Sequence, residues 1–234
     1  MDFGCDEIKC INLVQRTDKR KLVEETMKKL EINIDFFPAV ADKELPSRGC
    51  FMSHFKIIAD AYNKGVKRLM IFEDDFEIRK LPSKKEIKNI NKFLDNNEWE
   101  IFFLGGYPFV WDSVVVPTKY SNIYRGHFIA THAYILNTNA IFKYRNVIWG
   151  KPYKIIDTEV YKNNTNAYGY VPEIYKQRSI SNDIGKNNYI HLKTLRILGE
   201  FAHWYAKNIN IKIKNILVCI VVLIFLILYI KKRN

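Results

Sequence analysis

One segment constrains the fold more than any other, a run of large apolar residues that ends in three consecutive carboxylates. Residues 69–72 are continuous and short, which is typical of a strand buried on both faces of a parallel sheet, and Glu73, Asp74 and Asp75 follow directly. A buried parallel strand delivers whatever follows it to the carboxyl edge of the sheet, where open α/β folds bind their ligands. We therefore expect a ligand site at this edge.

The three carboxylates also predict the chemistry of that ligand. Glu73 and Asp75 are two residues apart, so in an extended chain they point to the same side. Three acidic groups this close repel one another, and a positive charge is the natural compensation. Oxygen ligands suit a hard cation such as Mg²⁺ or Mn²⁺, which usually also binds substrate phosphates. The alternative is a strand that simply ends in a solvated acidic turn.

Hydrophobic periodicity predicts one α/β domain over residues 1–206. In the first half, strands alternate with helices, and the strands are expected to form a mostly parallel sheet. Ser47 and Ser83 are placed to cap helices, and Asn137 to start a short one. The predicted strands are 8–14, 34–37, 69–72, 99–104, 129–136, 168–171 and 174–177.

The chain is basic, with a formal net charge of +12, and part of that charge flanks an apolar segment near the C-terminus. Residues 216–230 are uniformly apolar, which predicts a transmembrane anchor at 215–230 between a basic linker (207–214) and a basic tail (231–234). The chain is therefore expected to be a single-pass membrane protein. The alternative is a buried core helix. The scattered basic residues form no nucleic-acid motif, so no nucleic-acid partner is expected.

Several segments, in order along the chain, resemble glycosyltransferase family 25, which contains bacterial lipooligosaccharide galactosyltransferases and collagen hydroxylysine galactosyltransferases. The resemblance extends over about residues 8–185. It is carried by residues 11–13 with Arg16, Asp18 and Arg20, by 37–42, by 49–54 and by 71–75, and then by 104–105, 131–136, Asp157 and Gln177.

The resemblance implies a single GT-A-like nucleotide-sugar-binding domain. It also implies a membrane-anchored glycosyltransferase that moves galactose or glucose from a UDP-sugar to a hydroxyl of a protein, lipid or glycan, with inversion. Mn²⁺ or Mg²⁺ would stabilise the departing diphosphate. Glu73 and Asp75 are the expected metal ligands and Asp74 a donor-binding residue, although which of them contacts the metal and which the ribose stays open.

The remaining donor-binding candidates follow strand ends or begin a helix. Arginine offers a planar fork that suits a diphosphate, and a helix start offers free N–H groups to a phosphate. Each candidate also has a structural alternative: a solvated helix start, a closed turn, or a packing or capping role. The candidates are Asn12, Arg16, Arg20, Gly49, Ser53 and His54.

Inversion requires one carboxylate to deprotonate the acceptor hydroxyl. Asp157 is the candidate because it follows the apolar residues 155–156 at a predicted helix start, and Glu159 is the next. An ordinary helix cap is the alternative explanation for Asp157.

Two other functions compete with transfer. One is a catalytically silent relative that binds glycans or proteins, which the retained carboxylates argue against. The other is a Mg²⁺-dependent phosphohydrolase, which usually draws its metal ligands from several separated acidic motifs.

Overall fold

The apolar run before the carboxylates is the third strand of an eight-stranded sheet. The computed structural model describes residues 1–109, 115–150 and 153–178. The strands are β1 Glu7–Asn12, β2 Asp35–Pro38, β3 Arg68–Glu73, β4 Phe76–Ile78, β5 Ile101–Phe103, β6 Tyr107–Pro108, β7 Val116–Pro117, β8 Ile123–Arg125, β9 Phe128–Ile129, β10 Ala133–Asn137, β11 Ala167–Tyr170 and β12 Tyr175–Gln177. The helices are α1 Thr17–Lys29, α2 Pro46–Asn63, α3 Lys84–Asn96 and α4 Thr138–Tyr144, with a π-helical segment at Ile156–Val160.

The large sheet is mixed, with the strand order β2-β1-β3-β10-β5-β11-β8-β7. Strands β2, β1, β3, β5 and β11 share one direction, whereas β10 is antiparallel to both of its neighbours and β8 is antiparallel to β11. Most strands of the large sheet therefore point in one direction, as expected for a mostly parallel sheet. Most neighbouring strands are nevertheless paired antiparallel, which differs from that expectation. Two further strand pairs, β4 with β12 and β6 with β9, stand beside the large sheet.

Helices cover both faces of the sheet, and β3 separates two hydrophobic clusters. Leu69 and Ile71 pack in one cluster with apolar residues of α2 and α4, and Met70 and Phe72 pack in the other with those of α1 and α3. All four β3 residues are at most 1% exposed. The prediction of a strand buried on both faces is confirmed, and this burial is what fixes the position of the carboxylates that follow it.

Local signals located most helix starts. Ser83 caps α3 through a reciprocal capping box with Glu86, and Asn137 accepts a hydrogen bond from the backbone of Ala140 at the start of α4. Ser47 is not a cap, because α2 already begins at Pro46 without a side-chain cap. The helix predicted at residue 156 is a five-residue π-helical segment.

The strand predicted over 129–136 is divided into β9 and β10. The interruption lies at Ala130, whose φ of 71° is in the left-handed region that non-glycine residues rarely adopt. Apolar periodicity does not report such a break, because the residues on both sides remain buried.

The assignment as a single-pass membrane protein is corrected. Within residues 1–109, 115–150 and 153–178, no helix combines the length and the apolar character that crossing a bilayer requires. The segments predicted as linker, anchor and tail, 207–234, lie outside the described residues.

Candidate functional site

The carboxyl ends of β1 and β3 lie side by side, because these strands are parallel neighbours in register from Glu7 with Leu69 to Ile11 with Glu73. Strand β10 is antiparallel to β3, so its amino end, preceded by Thr131 and His132, reaches the same edge. The predicted site residues Asn12 and Glu73 are therefore brought together.

Asp74 is held by residues that follow β1. One of its carboxylate oxygens accepts a hydrogen bond from Asn12 Nδ2 at 2.7 Å, and the other accepts one from Lys19 Nζ at 3.0 Å. Asn12 Nδ2 also donates to the carbonyl of Arg16, which fixes the turn after β1. Asp74 is therefore neutralised by the protein itself and is poorly suited to bind a cation.

Replacing Lys19 by Ala should destabilise the fold while the same change at Lys21 should not. Lys19 is 6% exposed and Lys21 is exposed on the same helix. Breaking a buried ion pair by removing one partner costs ~3–5 kcal/mol. We expect the lower end of that range, because Asp74 keeps Asn12 and some solvent contact. Urea unfolding of both variants measures the difference, and equal stabilities would contradict it.

Glu73 contacts a residue of α2 and a residue that precedes β10. Its Oε1 accepts a hydrogen bond from Thr131 Oγ1 at 2.7 Å and lies 3.4 Å from His54 Nε2. Burial pushes the pKa of Glu73 upward, but the His54 and Thr131 contacts outweigh it and bring the pKa to about 2. Glu73 therefore stays ionised at neutral pH.

Asp75 is the one of the three carboxylates whose charge is least offset by neighbouring groups. It is 8% exposed, its Oδ2 accepts a hydrogen bond from Gln177 Nε2 at 2.7 Å, and its buried Oδ1 has no hydrogen-bond partner. Burial and, after it, the charge of Glu73 raise the pKa of Asp75 to about 7. Neighbouring carboxyl groups with pKa values pushed apart are common at functional sites.

The raised pKa of Asp75 predicts a pH-dependent stability cost. Between about pH 4 and pH 7 the folded protein keeps a proton on Asp75 that the unfolded chain has released, so this group's stabilising contribution falls as pH rises through that window. Asp75→Asn cannot ionise and should gain stability relative to wild type by an amount on the order of a few kcal/mol across the window. Unfolding in urea with a chelator present, at pH 5 and pH 8, tests this. A gap that is the same at both pH values would contradict it.

Asp157 is bound through both carboxylate oxygens by backbone N–H groups. Oδ2 accepts from Ala130 N at 2.7 Å and Oδ1 from Thr158 N at 2.8 Å. Burial raises the pKa of Asp157, although these two hydrogen bonds lower it in part. Burial raises the pKa of the Cys50 thiol, and the nearby charges of Glu73, Asp75 and Asp157 raise it further.

The left-handed Ala130 links Asp157 to Glu73. Its N–H donates to Asp157, and the next residue, Thr131, donates to Glu73. Sparsely populated backbone conformations cost energy, and they cluster at functional sites. This strained position therefore holds two of the carboxylates in a fixed relation.

Glu159 has a local role in the structure. Its carboxylate accepts hydrogen bonds from the backbone N–H groups of Lys154 and Ile155, the latter at 3.0 Å, and these contacts lower the pKa of Glu159. It closes the turn that leads into the π-helical segment. A group with a lowered pKa is a weak base, which favours Asp157 over Glu159 as the candidate base.

Gly49 and Ser53 hold α2 against the loop after β2. A Cβ at Gly49 would lie 2.3 Å from the carbonyl oxygen of Val40, and Ser53 Oγ accepts from Val40 N and donates to the Gly49 carbonyl. Ser53 is fully buried. Both residues therefore make contacts that position the helix.

Arg16 and Arg20 lie at the start of α1, and each pairs with an acidic residue. Arg16 makes a two-point contact with Asp18, at 2.9 and 2.8 Å. Arg20 binds Glu24 at 2.9 Å and stacks over the ring of Phe36. A diphosphate would have to compete with these carboxylates for the guanidinium groups.

The carboxylates of Glu73 and Asp75, which the sequence predicts as metal ligands, offer oxygen donors that suit a hard divalent cation. Asp75 supplies a buried oxygen without a partner. Glu73 supplies a second, ionised carboxylate that is close enough to raise the pKa of Asp75. Oxygen donors of this kind suit Mg²⁺ or Mn²⁺. Asp74 does not complete the set, because both of its oxygens are bound by Asn12 and Lys19.

The sequence prediction omitted three residues that determine the state of the carboxylates. Thr131 and Gln177 lie in segments that carry the family resemblance but were given no role. Lys19 was omitted altogether, although a signal for it exists. Lys19, Val23 and Met27 share the buried face of α1, and a charge that continues an apolar stripe indicates a buried partner.

Comparison with known proteins finds similar sequences at modest identity. The chain is 23% identical over 130 residues to a glycosyltransferase 25 family member of Drosophila melanogaster. It is 25% identical over 135 residues to human procollagen galactosyltransferase 2. Each match covers 44% of this chain and 21% of the relative, so the chain matches about a fifth of the length of these relatives. No family model matches the chain.

A solved structure with a similar outline is a glycosyltransferase involved in the glycosylation of the major capsid of PBCV-1. It is 13% identical and covers 82% of this chain and 98% of its own, with a TM-score of 0.45, which is too low to establish a shared fold. The predicted resemblance to glycosyltransferase family 25 is confirmed by the sequence relatives, and the enzyme class that it implies is the class of those relatives.

Proposed function

We propose that this protein is a glycosyltransferase that moves a hexose, galactose or glucose, from a UDP-sugar to a hydroxyl group of a protein, lipid or glycan. One observation carries the proposal. Two carboxyl groups with raised pKa values, Asp75 and Asp157, lie near the carboxyl edge of the sheet, where Ala130 and Thr131 connect Asp157 to Glu73, and Asp75 has a buried oxygen without a partner. The similarity to family 25 glycosyltransferases supports the same reaction class.

Asp75 would act on the leaving diphosphate, and Asp157 would act on the attacking hydroxyl. Asp75 and Glu73 would hold a divalent cation. When bound, this cation would neutralise the charge that develops on the departing diphosphate. Asp157 would accept the proton of the attacking hydroxyl. Its raised pKa makes it a better base than an ordinary aspartate once it is ionised. Inversion follows if the hydroxyl attacks opposite the leaving diphosphate.

The surroundings of Asp157 support its role as the base. Its two backbone hydrogen bonds fix the carboxylate, and an ionised carboxylate has about four acceptor positions, so positions remain for a substrate hydroxyl. Glu73 accepts a hydrogen bond from Thr131 and has a low pKa, so Glu73 does not take up the transferred proton.

A donor-hydrolysis assay tests the proposed function without knowledge of the acceptor. The purified full chain is incubated with Mn²⁺ or Mg²⁺ and a panel of nucleotide sugars, and release of the nucleoside diphosphate is followed by chromatography. We expect slow release from UDP-galactose or UDP-glucose that stops with a chelator. Absence of both release and binding for every nucleotide sugar would contradict the proposal.

A further inference from the structure

Three side chains next to the proposed site form a group with a different donor chemistry. The ligand atoms of Cys50, His54 and Glu73 all lie within 4.8 Å of one another, and no other group of three such residues in the described part of the chain meets this criterion. Cys50 and His54 are four residues apart on α2 and so share one face of that helix. Glu73 ends β3, and α2 packs against this strand.

His54 supplies the donor atom of this group that lacks a hydrogen bond. The ring is fully buried, its Nδ1 is 2.8 Å from the hydroxyl of Tyr134, and its Nε2 has no hydrogen-bond partner. Nε2 faces Glu73 Oε1 at 3.4 Å, beyond a good hydrogen bond. Buried polar atoms are nearly always satisfied by a partner, so an unpartnered nitrogen directed at a thiol and a carboxylate is unusual.

We propose that Cys50 Sγ, His54 Nε2 and the Glu73 carboxylate bind a transition-metal ion, with Zn²⁺ as the expected ion. A sulfur, a nitrogen and a carboxylate oxygen form a donor set that suits Zn²⁺ and that Mg²⁺ and Mn²⁺ disfavour. Three protein ligands leave a fourth tetrahedral position for water or a ligand. This inference does not depend on the proposed glycosyl transfer.

The residues behind His54 are arranged as the outer shell of such a site. Tyr134 holds Nδ1, and Tyr161 in turn lies 3.4 Å from the Tyr134 hydroxyl. A metal-binding imidazole usually has its second nitrogen fixed in this way, which sets the ring orientation and leaves the other nitrogen for the ion. Tyr134 and Tyr161 are both almost fully buried, so this orientation is rigid.

Cobalt substitution tests the site without any measurement of activity. The full chain is stripped of metal and titrated with Co²⁺, and the absorption spectrum is followed and reversed with Zn²⁺. We expect a thiolate-to-cobalt charge-transfer band that is lost in Cys50→Ser and kept in Cys5→Ser, a second partly buried free thiol that packs against the other hydrophobic cluster. No band in the wild type, or a band that persists in Cys50→Ser, would overturn the proposal.

A second variant keeps the test decisive if Cys50→Ser does not fold. Tyr134→Phe retains all three donors but removes the hydroxyl that holds His54, and loss of such an outer-shell partner lowers metal affinity by ~10–100-fold. Zn²⁺ affinity that is unchanged in this variant would overturn the proposal. Glu73 is left intact because it also belongs to the proposed hard-cation site, so failure of the zinc site and failure of glycosyl transfer remain distinguishable.

Discussion

Replacing Asp75 by Asn is expected to abolish metal-dependent binding of the nucleotide-sugar donor while leaving the protein folded. Asp75 offers the buried oxygen without a partner, and the amide removes the charge that a divalent cation needs. Changes one shell away from a metal already cost ~10–100-fold in affinity, so loss of a ligand should cost more than ~100-fold. The fold should survive, since the amide can still accept from Gln177 and no longer carries a buried charge.

Calorimetric titration of UDP in the presence of Mn²⁺ is the measurement, with Asp60→Asn as the matched control on an exposed carboxylate. The wild type and the control should bind alike. An Asp75→Asn protein that binds UDP with Mn²⁺ as tightly as the wild type would remove Asp75 from the metal site.

Asp157→Asn should separate chemistry from binding. Loss of a general base lowers turnover by ~10²–10⁴-fold, whereas an interaction made only in the transition state leaves donor affinity unchanged. The variant should therefore bind UDP-sugar and Mn²⁺ like the wild type and transfer poorly. One of the hydrogen bonds from Ala130 or Thr158 is weakened by the amide, so a loss of stability of ~1–3 kcal/mol is also expected.

Single-turnover transfer, measured beside donor affinity and thermal melting, distinguishes the possible results for Asp157. Normal transfer by Asp157→Asn would move the base assignment to Glu159. Failure to fold would identify Asp157 as a structural cap that joins the π-helical segment to the Ala130 turn.

The position of the three carboxylates at the end of a buried strand could be predicted from sequence because its cause is local. A continuous apolar run followed by carboxylates specifies a buried strand and its end, and β3 with Glu73 at its carboxyl end follows that rule. The helix caps at Ser83 and Asn137 are local for the same reason.

The different roles of the three carboxylates could not be predicted, because they depend on partners far along the chain. Asp74 is neutralised by Lys19, 55 residues before it, and Glu73 is held by Thr131, 58 residues after it. A pattern of neighbouring residues treats the three acids as equivalent. Tertiary contacts neutralise Asp74, lower the pKa of Glu73 and raise the pKa of Asp75.

The direction of individual strands was beyond the sequence prediction for a similar reason. Strand β10 reads as another buried apolar run, yet it is antiparallel to both β3 and β5. This reversal brings the residues before β10, rather than those after it, to the site. Thr131 therefore reaches Glu73 from the amino end of its strand.

The pairing of β12 with β4 has a consequence for the order in which the protein matures. Gln177, which donates a hydrogen bond to Asp75, lies 102 residues after it in the sequence. Gln177 belongs to β12, the last described strand, and pairs there with Phe76 of β4. Contacts of such long range form late, because closing a long loop must precede them. During synthesis, β1 to β11 emerge before Gln177, so Asp75 lacks this hydrogen bond until β12 pairs with β4. Docking of β12 supplies the Gln177 hydrogen bond to Asp75, so the proposed cation site would be completed late in folding.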